Sequence, residues 1–326
     1  MTRALVTGGA GFIGSHLVEA LLRQGDRVTV LDNLSTGSES NLRAVRAHPA
    51  LSLHVGSILD EALVDRLTRE ADMVYHLAAA VGVQWVLQHP LESLRTNVRG
   101  TEVVLASAAR WRARVLLAST SEVYGKNDAG ALDEDADRVL GSTRLSRWNY
   151  AAAKGLDESL ALAYWAEQRL PVVIVRFFNT IGPRQSGRYG MVVPRFVEQA
   201  LRNEPLTVYG DGQQTRCFTY VADAVEAVRR LAQCQAAVGE VFNIGQAREI
   251  TIEALARRVI ELTGSRSEIV FVPYEQAYPA GFEDMRRRVP DCTRLRRMID
   301  FAPSTGLDEA LAAIIHERRA LLGTPH

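Results

Sequence analysis

Cysteine is scarce in this chain of 326 residues. There are three, Cys217, Cys234 and Cys292, far apart and without a CxxC pair. That spacing excludes a disulfide framework and a cysteine-built metal centre, and all three are expected to be plain structural thiols in a reducing, cytoplasmic setting. A charge surplus is also missing: 38 Lys+Arg balance 38 Asp+Glu for a formal net charge of +0, so no bulk attraction to nucleic acid or to an anionic membrane is expected. Although 47% of the residues are hydrophobic, no uninterrupted apolar run reaches the roughly 20 residues that span a bilayer. The chain enters a strand-like stretch at once, so no signal peptide is expected. Internal repeats and low-complexity tracts are absent as well.

What is present begins at the amino terminus. Arg3–Thr7 reads as a short buried strand running into Gly8-Gly-Ala-Gly11-Phe-Ile-Gly14, followed by a helical pattern from Ser15 to Arg23. The spacing is GxxGxxG, a variant of the dinucleotide fingerprint. One glycine allows the tight turn, one admits backbone amides to a pyrophosphate, and one lets the helix pack on the strand. The helix N-terminus then offers its amides and partial positive charge to the phosphates. A second strand, Arg27–Asp32, ends in Asp32, whose carboxylate suits an adenosine ribose and repels a 2′-phosphate, favouring NAD over NADP.

A second constellation is Tyr150-Ala-Ala-Ala-Lys154, thirty positions after Thr120 in Leu117-Ala-Ser-Thr-Ser-Glu122-Val-Tyr-Gly125. Residues four apart share a helix face, so phenol and ammonium can address one spot. A lysine beside a phenol is expected to lower a pKa that starts near 10 and so to yield a base at neutral pH. The Thr120 hydroxyl, at the end of an apolar strand, is placed to share the same alcohol proton. A carboxylate two residues on, Glu122, falls on the same strand face if the strand continues that far.

Periodicity predicts strands over Ala4–Thr7, Val28–Asp32, Leu51–Val55, Met73–Leu77, Val115–Ser119 and Val172–Phe177, with long helices over Pro90–Trp111 and Tyr150–Gln168. The alternation implies an α/β fold with a doubly wound parallel sheet, a Rossmann domain. The second half is more broken. A boundary near Asn179 opens a smaller α/β substrate-binding lobe, while helix Val221–Cys234 and strand Glu240–Ile244 return to the main sheet. The lobe is therefore expected to be discontinuous: residues 1–178 and about 217–250 form the NAD domain, about 179–216 and 251–326 the lobe. The apolar faces of the two long helices exceed what one sheet needs, which predicts a homodimer with a four-helix interface.

With these residues in hand, the chain resembles the extended short-chain dehydrogenase/reductases, most closely the NAD-dependent nucleotide-sugar epimerases, dehydratases and decarboxylases. Supporting stretches are Tyr75–Ala79, Arg95–Thr101, Arg176–Pro183 and Tyr209–Arg216, the last continuing to Asp223. The resemblance implies that Gly8, Gly11, Phe12, Ile13 and Gly14 hold NAD together with Asp32, Asn33, Ser57 and Ile58. Leu77, Ala78, Ala79 and Asn97 complete that set with Tyr150 and Lys154. Ser57 stands where an aspartate facing the adenine is common. The resemblance also implies oxidation at C4 of the sugar, with Tyr150 taking the hydroxyl proton, Lys154 holding the nicotinamide ribose and Thr120 orienting the 4-hydroxyl. Asn179, Val193, Arg216 and Arg288 are implied for a nucleotide-sugar, most plainly a UDP-sugar.

The fate of the 4-keto sugar turns on Thr120-Ser121-Glu122. Thr-Ser-Glu is the pattern of the UDP-glucuronate decarboxylases. Arg147-Trp-Asn-Tyr150 and Gly281–Asp291 resemble segments of UDP-apiose/xylose synthase and of the decarboxylase half of the aminoarabinose-pathway enzyme. That alignment gives Arg288 a part in the chemistry beside Ser121 and Glu122, and leaves Arg286 and Arg287 as a solvated basic run. UDP-glucuronate decarboxylation is thus the expected reaction. C4 epimerisation of UDP-glucose or UDP-glucuronate is the alternative, then 4,6-dehydration, and outside this class an NADH-dependent reductase. No metal site is expected, and His54, His76 and His89 read as core or surface residues.

Overall fold

The computed structural model describes residues 1–187, 190–277 and 285–323, with backbone only at positions 83 and 84. Its centre is a seven-stranded parallel sheet of β1 (Arg3–Thr7), β2 (Arg27–Asp32), β3 (Leu51–Val55), β4 (Met73–His76), β5 (Arg114–Thr120), β6 (Val172–Phe177) and β7 (Val241–Ile244). The spatial order is β7-β6-β5-β4-β1-β2-β3, so the chain winds outward in both directions from the β1/β4 boundary. In open α/β sheets, ligands settle at such a reversal, beyond the carboxyl ends of the strands. Here those ends carry the glycine loop, Asp32 and Thr120.

Strands buried on both faces read as near-continuous apolar runs. Val172–Val175 fits, all four being fully buried. One face of the sheet is covered by α1 (Phe12–Arg23) and α6 (Val221–Gln233) through Leu17, Leu21, Val225 and Val228. The other is covered by α2 (Glu61–Arg69), α3 (Gly100–Trp111) and α4 (Asn149–Gln168) through Val64, Leu67, Val104 and Ala161. Asp60 caps α2 by accepting the Leu63 N–H at 3.0 Å. Removing such a cap costs roughly 1 kcal/mol.

A separate apolar cluster joins α5 (Val192–Leu201), α7 (Ile252–Thr263) and α8 (Leu307–Gly323) to the strand Leu206–Tyr209. That strand pairs in parallel with Ile269–Val272. The predicted helix Pro90–Trp111 is interrupted. A short helix, Pro90–Leu94, passes through a π-turn over Arg95–Arg99 before α3 begins. Within the turn, the Asn97 carboxamide oxygen accepts the Ala80 N–H at 2.8 Å and its NH2 donates to the Ala80 carbonyl at 3.2 Å. The π-turn thereby ties down the loop that follows β4, consistent with the usual siting of such bulges near functional loops. After residue 217 the chain runs into α6, which packs on the sheet, and β7, which pairs in parallel with β6.

Candidate active site

One cavity of about 400 Å³ runs over the carboxyl ends of the strands, from the glycine loop to Thr120 and across to Arg288. This is the size of a small-molecule site. At the glycine-loop end the backbone is closely packed. Gly8 has φ +71°, and a Cβ there would press on the backbone of Ala78. A Cβ on Gly14 would overlap the Gly8 carbonyl oxygen. Gly11 occupies the N-cap of α1 with no side chain accepting the first amides, which leaves those donors for an anion. Asp32 is buried, and its two oxygens accept the N–H groups of Ala10 at 2.9 Å and Leu34 at 2.8 Å. Burial pushes its carboxyl up, and those amides oppose the shift. These features fit a dinucleotide.

Of the expected cofactor residues, Phe12, Ile13, Asn33, Ile58, Leu77 and Ala79 also line the cavity. Ser57 does not; its hydroxyl accepts the Leu59 N–H at 3.1 Å, capping the turn before α2. Asn97 acts on the cavity only through Ala80, as described above.

At the other end Thr120, Ser121, Glu122, Tyr150, Asn179 and Arg288 share one wall. Strand β5 ends at Thr120, and residues Ser121–Tyr124 form a 3-10 turn. Glu122 therefore does not lie on a continued strand face as the period-two reading expects. The Thr120 hydroxyl accepts the Glu122 N–H at 3.2 Å and folds the turn back, which brings the carboxylate to the cavity. There it is gripped from two sides: Arg147 Nη1 donates to Oε2 at 2.6 Å and Arg288 Nη1 to Oε1 at 2.9 Å. Burial alone pushes the Glu122 carboxyl up, but the two guanidinium charges outweigh it and hold the group well below the usual carboxylate range.

Arg147 lies three residues before Tyr150 in a 3-10 turn leading into α4. It is absent from the residues that the sequence singled out as a site, and its position three before the tyrosine is the one signal of it. Arg288 reaches the site because Val289–Pro290 pairs in parallel with Ala131–Leu132, fixing the residue just before it. Burial pushes the Arg288 guanidinium down, Glu122 opposes this, and neighbouring Arg216 and Arg147 add to the fall. Arg288 Nη2 also donates to the Asn179 carboxamide oxygen at 3.4 Å, while Asn179 Nδ2 donates to the Cys217 carbonyl at 2.9 Å. Arg216 is buried beside Arg288 but not in the cavity lining, and Val193 belongs to the core of α5. The preceding residues of the Gly281–Asp291 stretch, 281–284, lie outside the described residues. Arg286 and Arg287 are exposed and pair with Asp211 and Glu249.

The lysine behaves differently from expectation. Tyr150 faces the cavity, whereas Lys154 is only 2% exposed and its Nζ donates to Asp157 Oδ2 at 2.9 Å. Burial pushes the Tyr150 phenol up, and the Glu122 and Asp157 charges push it further. The ammonium that was expected to lower it is engaged by Asp157 instead.

A profile of the NAD dependent epimerase/dehydratase family matches residues 4–245. The chain belongs to that family. It is an enzyme, and NAD is its cofactor. It is 45% identical over 315 residues to UDP-N-acetyl-alpha-D-glucosaminuronate decarboxylase of Bacillus cytotoxicus, with 96% of each chain covered. It is 37% identical over 314 residues to UDP-glucuronic acid decarboxylase 1 of Xenopus tropicalis, covering 96% of this chain and 71% of that one. Among solved structures, a dTDP-glucose 4,6-dehydratase from Streptomyces venezuelae with NAD bound superposes with a TM-score of 0.89 at 32% identity, covering 98% of both chains. The UDP-glucose 4-epimerase of Thermotoga maritima, solved with UDP-glucose, gives 0.88 at 32%, covering 98% of this chain and 99% of that one.

Proposed function

We propose that this enzyme decarboxylates a UDP-linked hexuronate through a 4-keto intermediate. The observation that carries the reading is the Glu122 carboxylate held between Arg147 and Arg288, with Arg216 adjoining, in the same cavity wall as Tyr150. The Arg147 and Arg288 guanidinium groups line the cavity, and their donors suit the carboxylate and diphosphate of such a substrate. The 45% identity to a UDP-N-acetyl-glucosaminuronate decarboxylase favours the 2-acetamido sugar, and UDP-glucuronate is the second candidate.

Bound NAD supplies the two-electron oxidation of C4 and the later reduction of the ketone. Tyr150 takes the O4 proton in the first step, with the Thr120 hydroxyl orienting that oxygen. The C6 carboxylate then stands β to a ketone. The C5–C6 bonding electrons pass toward the C4 carbonyl as CO2 leaves, and C5 takes up a proton. The negative charge develops on O4, where the Tyr150 hydroxyl, protonated in the first step, and the Thr120 hydroxyl donate to it, while Arg288 and Arg147 orient the carboxylate that leaves. Glu122, ionised at neutral pH, keeps the two guanidinium groups in place rather than donating a proton.

Residues 179–216 and 251–326 form the nucleotide-sugar lobe in this reading. The outer stripe of α4, Ala152, Leu156, Ser159 and Ala163, is exposed and free of charge, and we assign it to a homodimer interface in a cytoplasmic enzyme. Light scattering should give twice the chain mass, and Leu156→Glu should halve it; a wild-type mass of one chain contradicts the interface. Incubation with each UDP-hexuronate, followed by proton NMR, tests the reaction. A UDP-pentose product supports it, and a C4-epimeric hexuronate with all carbons retained contradicts it.

A further inference from the structure

Along the inner face of α4, Tyr150, Lys154 and Asp157 form a stripe, because steps of four and seven residues return to nearly the same side of a helix. Asp157 is fully buried and Lys154 nearly so, and their ion pair spans 2.9 Å. A buried ammonium without a partner is costly, so the carboxylate stabilises Lys154 where it stands. Among the described residues, the groups around the pair supply no other carboxylate free to do so. From β4, His76 donates to or accepts from Thr7 at 2.7 Å and Thr101 at 3.1 Å. Burial, with the Lys154 charge, pushes its imidazole down to about 3, so it is neutral. From α3, only the Thr101 hydroxyl approaches Asp157. Glu158, next on α4, is engaged by Arg176 through two donors at 2.9 and 2.7 Å.

We propose that Asp157 offsets the Lys154 charge behind Tyr150, so that the tyrosine ionises at a higher pH than the Tyr-Lys pair alone would give. The Asp157 carboxylate sits on the Lys154 ammonium, and its charge pushes the Tyr150 phenol up. The phenolate therefore receives less help from the ammonium than the Tyr-Lys spacing alone implies. Glu122 from the 3-10 turn also acts on Tyr150, itself compensated by Arg147 and Arg288. Neutralising Asp157 leaves Lys154 as the uncancelled neighbour and favours the phenolate.

The inference borrows the catalytic tyrosine from the proposed function, and its first readout, a titration, needs no substrate. Phenolate absorbance of the purified enzyme is titrated, and the same titration of Tyr150→Phe is subtracted to isolate the one tyrosine. The expected result is that Asp157→Asn moves the Tyr150 titration to lower pH, while Asp157→Glu leaves it near wild type. Asp157→Ser, smaller and equally neutral, is the companion variant and should move it the same way. The acid limb of the pH–rate profile for C4 oxidation should follow the spectroscopic shift. An unmoved or alkaline-shifted titration in a folded neutral variant overturns the proposal. A shifted titration in an enzyme inactive on every UDP-hexuronate leaves the Asp157 assignment standing and sinks the substrate reading.

Discussion

The carboxylate of Glu122 and the guanidinium of Arg288, 166 positions apart in the chain, meet at 2.9 Å in the wall of the cavity. Neither is set by the helix that carries the tyrosine. Glu122 is delivered by a turn closing on Thr120, and Arg288 by a two-residue strand paired to Ala131–Leu132. In the proposed mechanism Tyr150 and Arg288 act from separate elements, so oxidation and decarboxylation should be separable by mutation.

Glu122→Gln removes the charge that holds Arg147 and Arg288. Decarboxylation should fall by roughly 10²-fold or more, the scale of losing one organised polar contribution to a transition state. C4 oxidation should survive, seen as bound NADH accumulating by absorbance on addition of substrate. Retained decarboxylation at the wild-type rate would show Glu122 to be a bystander.

Gly14→Ala places a methyl group against the Gly8 carbonyl and forces the loop apart. The variant should fold, since α1 keeps its apolar face, but should bind NAD at least about tenfold more weakly, a cost of about 1.4 kcal/mol or more. Absorbance of bound cofactor after gel filtration reads this directly. Stoichiometric retention of NAD would contradict the placement of the pyrophosphate at this loop.

His76 gives a pH signature of stability. Its folded pKa, about 3, lies below the ordinary value of 6.5, so the unfolded chain binds more protons between those limits. The contribution is complete above about 6.5 and is lost as pH falls toward about 3, at a slope of at most about 1.4 kcal/mol per pH unit. Urea midpoints measured across that window should fall less steeply in His76→Gln than in wild type.

Behind the cavity, Arg176 forms a bidentate pair with Glu158 and donates from Nη1 to the Tyr124 hydroxyl at 2.9 Å, while Tyr124 donates to Asn243 Oδ1 at 2.8 Å. The network joins α4, β6, β7 and the Glu122 turn. Arg176→Met strands a buried carboxylate and should cost about 3–5 kcal/mol in urea unfolding. The double variant Arg176→Met/Glu158→Leu should recover most of that loss, because it removes the orphaned charge. Equal instability of both variants would mean that packing, not charge, holds this region.

The cofactor half of the cavity was legible in the sequence because its residues follow one another along a strand, a loop and a helix: Gly8, Gly11, Gly14, Asp32. Tyr150 was legible for the same reason. Three features were hidden because they depend on how separate elements meet. Arg147 grips Glu122 from a turn 25 residues away, a distance no periodicity encodes. Asp157 reads as one more polar residue on α4 until Lys154 is seen to turn toward it. Glu122 reads as a strand position only while the strand is taken to continue past Thr120. Within the basic run, Arg286 and Arg287 pair at the surface while Arg288 lines the cavity and meets Glu122.

The most direct test of the central proposal is the fate of the sugar's C6. Purified enzyme is incubated with UDP-N-acetylglucosaminuronate and, separately, UDP-glucuronate carrying a 13C label at C6, and products are followed by NMR. Release of labelled CO2 with formation of a UDP-pentose from at least one of them is the predicted result. A product that keeps the label in an intact hexuronate, inverted at C4, would contradict it.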